Sequence, residues 1–189
     1  MSKKQRCWWC GTDPLYVAYH DHEWGVPLHN DQRLFEMLIL EGFQAGLSWI
    51  TILRKRENFR KAFKQFDPLK IARFNKENVE HLMNDAGIVR NRLKIEATVN
   101  NAKRYLEIQE EFGSFDKYIW QFTGNRTLRS KPGPTKGSLR ATSPESDCMS
   151  RDLKKRGFKF VGSTVCYAHM QATGMVDDHV QGCYKFKKR

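Results

Sequence analysis

The sequence predicts an all-α fold. Apolar residues recur three and four apart in one segment after another, residues that favour helix starts precede those segments, and no stretch alternates with the period of two that a half-buried strand requires.

Asp13-Pro14 opens the first helix, with Asp as cap and Pro tolerated in the first turn. Leu15, Tyr16, Ala18 and Tyr19 carry it to His20, before Gly25 and Pro27 break the pattern. Asn30 or Asp31 caps a second helix through Leu34, Phe35, Leu38 and Ile39, stopping near Gly42 to Gly46. A third, from Ser48 to Phe63, places Ile52, Leu53 and Phe59 on its apolar side. Asp67-Pro68 starts a short helix, and Asn75 caps a segment with Val79, Leu82 and Met83. Asp85-Ala86-Gly87 forms a tight turn into a long helix from Val89 to Phe112. Ser114 caps the piece holding Tyr118, Ile119 and Phe122; Ser143-Pro144 opens a helix ending at Gly157; Gly162 to Thr173 forms the next.

The length of 189 residues suits one domain, 1–189, with a substantial core. Lys and Arg number 33 against 21 acids, a net charge of +12, which attracts polyanions and favours nucleic acid over a merely basic surface. No segment approaches the roughly 20 apolar residues of a membrane span, and MSKKQRCWWC has no apolar stretch of signal-peptide length. A cytoplasmic protein without a membrane partner is expected. Residues 124–142 form a Gly/Pro-rich basic loop with Arg126, Arg129, Lys131, Lys136 and Arg140 and no acid, fit equally for phosphate contact or plain solvation. Residues 185–189 read as a frayed basic tail.

Residues with metal-ligand chemistry cluster at the two ends: Cys7, Cys10, His20 and His22, then His179 and Cys183. Five cysteines without a secretory signal argue against a disulfide scaffold. His179 and Cys183, four apart, would face one way on a helical turn. A Cys/His pair from each end would make a closed structural Zn²⁺ site, with Cys10 and His20 competing for one place; buried thiols and surface imidazoles without metal are the plainer alternative.

Glu41-Gly42-Phe43-Gln44-Ala45-Gly46-Leu47-Ser48-Trp49 puts a carboxylate near a helix C-terminus, where the dipole disfavours it, so a functional reason is worth seeking. With Tyr16, Tyr19 and Trp24 it would form an aromatic cage around one anionic acceptor, suited to a flat cationic base. Each ring taken singly is as well explained by core packing. The Asp85–Ile88 turn could grip phosphate through backbone N–H groups, helped by Arg90, Arg92 and Lys94, although any helical hairpin needs such a turn.

Asp13-Pro14-Leu15-Tyr16, Tyr19-His20-Asp21, Glu23-Trp24-Gly25-Val26-Pro27, the Glu41–Trp49 string, Lys154-Lys155-Arg156-Gly157-Phe158-Lys159-Phe160-Val161-Gly162, and Asp178-His179-Val180 with Cys183 resemble the 3-methyladenine DNA glycosylase type I family across nearly the whole chain. The resemblance implies a bacterial repair enzyme with a helix-hairpin-helix DNA glycosylase fold. It also implies a structural zinc on Cys7, His20, His179 and Cys183, leaving Cys10 outside, that joins the N- and C-terminal segments. Glu41, Tyr16, Tyr19 and Trp49 would bind the extruded base, with Trp9 and Trp24 nearby. The hairpin, with Gly87, Ile88 and Arg90, would hold the DNA backbone, and Leu47 beside Gly46 would fill the vacated stack. The implied reaction removes 3-methyladenine from double-stranded alkylated DNA, releasing the free base and leaving an abasic site. No lysine is placed for Schiff-base chemistry, so a monofunctional, monomeric enzyme is expected. Trp8, Cys10, the basic loop and the tail depart from the family pattern. A silent DNA-binding module and a catalytic metal hydrolase are the rival readings.

Overall fold

A computed structural model describes residues 4–130 and 133–187. Among them the chain forms helices α1 (Pro14–His22), α2 (Asp31–Gln44), α3 (Trp49–Ala62), α4 (Pro68–Ile71), α5 (Lys76–Asn84), α6 (Arg92–Phe112), α7 (Phe115–Trp120), α8 (Pro144–Lys155) and α9 (Ser163–Ala172). Tighter 3₁₀ turns occupy Trp8–Cys10, Lys64–Phe66 and Gln121–Thr123. No strand forms among the described residues; Leu128 and Val176 make an isolated parallel bridge.

Side-chain caps set most helix starts. The Asp13 carboxylate accepts from the backbone N–H groups of Leu15 and Tyr16, Asn30 from Arg33, and Ser114 from Lys117. Asn75 and Ser143 each build a reciprocal capping box with the residue three positions on. The longest helix starts at Arg92, three residues later than the periodicity suggests. The cause is local: the Asn91 side chain accepts from the Lys94 N–H, and the Asn91 N–H donates to the Val89 carbonyl, so Arg90 lies on the turn.

Helix α2 runs through the centre, packed by α3, α6, α7 and α9. Every residue from Leu34 to Phe43 is buried, as expected of a helix with neighbours on all sides. That run includes two carboxylates, Glu36 and Glu41, each only 4% exposed. Arg56 and Arg60 of α3 pair with Glu36 at 2.6 and 2.8 Å. Glu41 has no ion-pair or hydrogen-bond partner among the described residues.

The basic segment after Gly124 is anchored where it meets the C-terminal stretch. The Leu128 N–H donates to the Met175 carbonyl, and the Asp177 N–H to the Leu128 carbonyl. The tail is not wholly frayed either: Lys185 Nζ donates to the Asp21 carbonyl at 2.8 Å. Lys131, Lys188 and Arg189 lie outside the described residues.

Candidate functional site

The 3₁₀ turn Trp8–Cys10 lays the N-terminal segment across α1. The Cys7 N–H donates to His20 Nε2 at 3.3 Å, and Cys183 Sγ lies 3.4 Å from the same nitrogen. Candidate ligand atoms of Cys7, His20 and Cys183 all fall within 4.8 Å of one another. The His20 ring is fixed from behind by Asp21, 2.8 Å from Nδ1. Arg6 grips Asp21 and holds its carboxyl well below the usual range. His179 is arranged alike: Nδ1 meets Asp177 Oδ1 at 2.7 Å, while its buried Nε2 has no partner among the described residues. The two imidazoles cross edge-to-face at 5.2 Å.

A buried histidine with a carboxylate on Nδ1 and an open Nε2 is oriented as metal-binding histidines are. His179 meets that description, whereas His20 Nε2 accepts from the Cys7 N–H and groups with the buried thiols of Cys7 and Cys183. His179 stands outside that 4.8 Å group, and the four side chains are of the donor types that fit Zn²⁺. His179 and Cys183 do not share a helical turn, contrary to the spacing argument. Residues 177–183 are irregular, because Gly182 is left-handed (φ +91°) and the Gln181 N–H donates to the Pro134 carbonyl. Cys10 Sγ instead lies 3.1 Å from the Cys7 carbonyl, outside the ligand group, and His22 is exposed. Gly25 is the close approach that admits His179: a Cβ there would come 2.8 Å from the imidazole Cε1, at φ +71°.

Trp9 and Trp24 form the wall between this cluster and a cavity. Trp24 packs edge-on against His179 at 4.7 Å and against Trp9 at 4.8 Å. On their other side lies a cavity of about 320 Å³, lined also by Tyr16, Tyr19, Trp49 and Glu41. Thus the structure brings together all six residues expected to meet a base. Trp9 lies 5.2 Å from Tyr16, and Tyr19 lies 5.4 Å from Trp49, centroid to centroid.

Glu41 is the one carboxylate in this lining, and burial alone raises its pKa to about 8. Burial, with Glu41 adding to it, also holds the Tyr19 phenol neutral. Trp49 Nε1 is a buried donor without a partner among the described residues. An aromatic box with an uncommitted acceptor and an uncommitted donor is built to receive a flat, polar-edged, electron-poor ring. Trp8, Gln44, Leu139, Arg140, Ala168 and Gln171 complete the lining. Gln44 stands inside the Glu41–Trp49 string. Leu139 and Arg140 carry no signal beyond the basicity of their loop, because the path of that loop is fixed by distant contacts.

Leu47 is 39% exposed on the α2–α3 turn, next to Gly46. Lys94 of α6 ties that turn down, its Nζ donating to the carbonyls of Phe43 and Ala45 at 2.9 and 2.7 Å. Between α5 and α6, Gly87 leaves no room for a side chain: a Cβ would lie 2.9 Å from Asp85 Oδ1. Ile88 is buried in the main core, so only its backbone is available to a ligand. Arg90 is exposed beside the turn. Arg92 and Lys94, read from the sequence as further phosphate contacts, are otherwise engaged, Arg92 in a two-pronged pair with Glu80.

Known proteins match this arrangement closely. A family model for methyladenine glycosylase matches residues 9–187. DNA-3-methyladenine glycosylase 1 of Escherichia coli strain K12 is 51% identical over 179 residues, covering 95% of each chain. A crystal structure of 3-methyladenine DNA glycosylase I has a TM-score of 0.92 at 48% identity, covering 97% of this chain and 100% of its own. The Staphylococcus aureus 3-methyladenine DNA glycosylase I, from a study of 3-methyladenine recognition, gives 0.88 at 37% identity, covering 94% of both chains. With the match running from Trp9 through the last ring of the cavity to Cys183, the chain belongs to the methyladenine glycosylase family.

Proposed function

We propose that this protein is a monofunctional DNA glycosylase that excises 3-methyladenine from alkylated duplex DNA. The observation that carries the reading is Glu41: a buried carboxylate with no ion-pair or hydrogen-bond partner among the described residues, facing a cavity walled by Tyr16, Tyr19, Trp24 and Trp49. Methylation at N3 makes the adenine cationic while it is attached to the sugar. The rings attract its faces and Glu41 accepts from its edge. A neutral adenine offers neither the charge nor the weakened bond, so its unstacking goes uncompensated.

The positive charge already makes the base a good leaving group. The C1′–N9 bond breaks with its electron pair going to the base, which departs as neutral 3-methyladenine. Water supplies the hydroxyl at C1′ and its proton passes to solvent, leaving an abasic site. Glu41 serves recognition: the cationic base, once seated beside it, favours the ionised carboxylate, which then places negative potential near the oxocarbenium-like sugar. No covalent adduct forms.

In this reading α5, the 85–91 turn and α6 act as a helix-hairpin-helix element on the DNA backbone, offering the Gly87 and Ile88 backbone and the Arg90 side chain. Leu47, on the Gly46 turn, fills the gap left by the flipped nucleotide. Cys7, His20, His179 and Cys183 hold a structural zinc, which ties the chain ends together and neutralises two thiolates. All four donors are buried, which suits a closed structural site better than a catalytic one. The enzyme works as a single-domain cytoplasmic monomer.

Chromatography of bases released from methylated duplex DNA tests the activity. Free 3-methyladenine is expected, with no adduct trapped by borohydride. Absence of any released base would leave only a binding module, and a trapped adduct would overturn the monofunctional assignment.

A further inference from the structure

A second cavity, of about 280 Å³, adjoins the aromatic one, and Arg140 lines both. Its wall carries Arg126, Arg129 and Arg140 against a lone carboxylate, Glu145. Arg129 is held in place by Asp177, Nε to Oδ2 at 2.9 Å, and the other oxygen of that carboxylate orients His179. Arg126 and Arg140 are exposed and have no ion-pair partner among the described residues. Elsewhere on this chain guanidinium groups near acids do pair, as Arg6, Arg54, Arg92 and Arg156 do. Arg126 and Arg140 share one cavity wall with Arg129 and are left open there. Ser130 and Ser143 lie in the same wall.

We propose that this cavity holds a phosphodiester of the DNA strand, next to the nucleotide whose base enters the aromatic cavity. The inference rests on the proposed base-excision reading. Guanidinium forks match phosphate oxygens, and a strand that delivers a base to one site must lay its backbone in the site next door. Arg140 stands at the junction of the two. Arg129 is pre-set by the same carboxylate that steadies the Cys/His cluster, so the phosphate grip and the cavity wall share one brace. The basic 124–142 segment thus supplies a specific backbone contact rather than a diffuse positive surface.

The test uses Arg126→Gln and Arg126→Lys, since Arg126 is exposed and lines neither the aromatic cavity nor the Cys/His cluster. Binding to an undamaged duplex and to one bearing a tetrahydrofuran abasic analogue is titrated at several salt concentrations. In Arg126→Gln, affinity for both duplexes should fall about tenfold, and the slope of log K against log salt should shrink by about 0.9. Arg126→Lys should keep most of that slope. Affinity for free 3-methyladenine should stay unchanged in both variants. An unaltered salt slope in Arg126→Gln would overturn the proposal. So would Arg126 and Arg129 Nε resonances that respond to inorganic phosphate but not to duplex, since the site would then take a free anion. Neither duplex needs to lose a base. Loss of this salt effect with base release intact would remove the phosphate site alone, and the reverse outcome would remove the activity alone.

Discussion

Ionising Glu41 means placing a charge among Tyr16, Tyr19, Trp24 and Trp49 with no ion-pair partner among the described residues. Its pKa is about 8 in the fold against the ordinary 4.5, so the native chain binds more protons than the unfolded chain between those values. The stabilising contribution of the neutral acid is therefore complete below pH 4.5 and is lost as pH rises towards 8. Glu41→Gln should gain little at pH 4 and a few kcal/mol at pH 8, at about 1.4 kcal/mol for each tenfold difference in proton affinity between the two states. The same substitution should weaken 3-methyladenine binding roughly 10- to 100-fold, the worth of a charged hydrogen bond. Thermal melts at both pH values and calorimetric titration with the free base check the two halves. A variant neither more stable at pH 8 nor weaker in binding would take Glu41 out of the cavity. Glu36 supplies the contrast. Arg56→Ala strips its closest partner in a buried setting and should cost about 3 kcal/mol, measured by urea unfolding. The sequence announces Glu41 by its awkward place at a helix end. It cannot announce that Glu36, five residues earlier, is neutralised and Glu41 is not, because that depends on where α3 lies.

The turn between α2 and α3 presents Leu47 to solvent, while Lys94 fixes the backbone beneath it. Leu47→Ala should reduce excision from duplex DNA about tenfold, in keeping with the few kcal/mol that unstacking costs, and should leave affinity for the free base within about twofold. Steady-state kinetics on duplex and single-stranded substrates separate the effects, because only the duplex needs a wedge. An equal loss on both would assign Leu47 to packing. Helix starts are legible because Asp13, Asn75, Ser114 and Ser143 act through bonds two or three residues away. The Trp8–Cys10 turn and the irregular 177–183 stretch are not. Their backbone partners are remote: the Tyr184 N–H donates to the Gln5 carbonyl, and the Gln181 N–H to that of Pro134. Periodicity carries no trace of such pairings, which is why the spacing of His179 and Cys183 suggests a helical turn that does not form.

Across the whole molecule, the first and last segments meet at Cys7, His20 and Cys183, and Trp9 and Trp24 lean on that junction from the cavity side. Stripping metal from the purified protein with a strong chelator should lower the melting temperature by many degrees and speed amide exchange near Cys7 and Cys183. Elemental analysis should find about one zinc per chain beforehand. Protein that lacks metal yet melts unchanged would refute the staple. Gly25→Ala should produce a milder version of the same loss by crowding His179. The junction also dictates when the cavity can exist during synthesis. The ribosome delivers Tyr16, Glu41 and Trp49 well before Cys183, which meets Cys7 and His20 behind their neighbouring wall. A nascent chain that stops short of Cys183 holds every ring of the cavity without the contact that backs them, so competence to handle DNA should arrive only once Cys183 has been added.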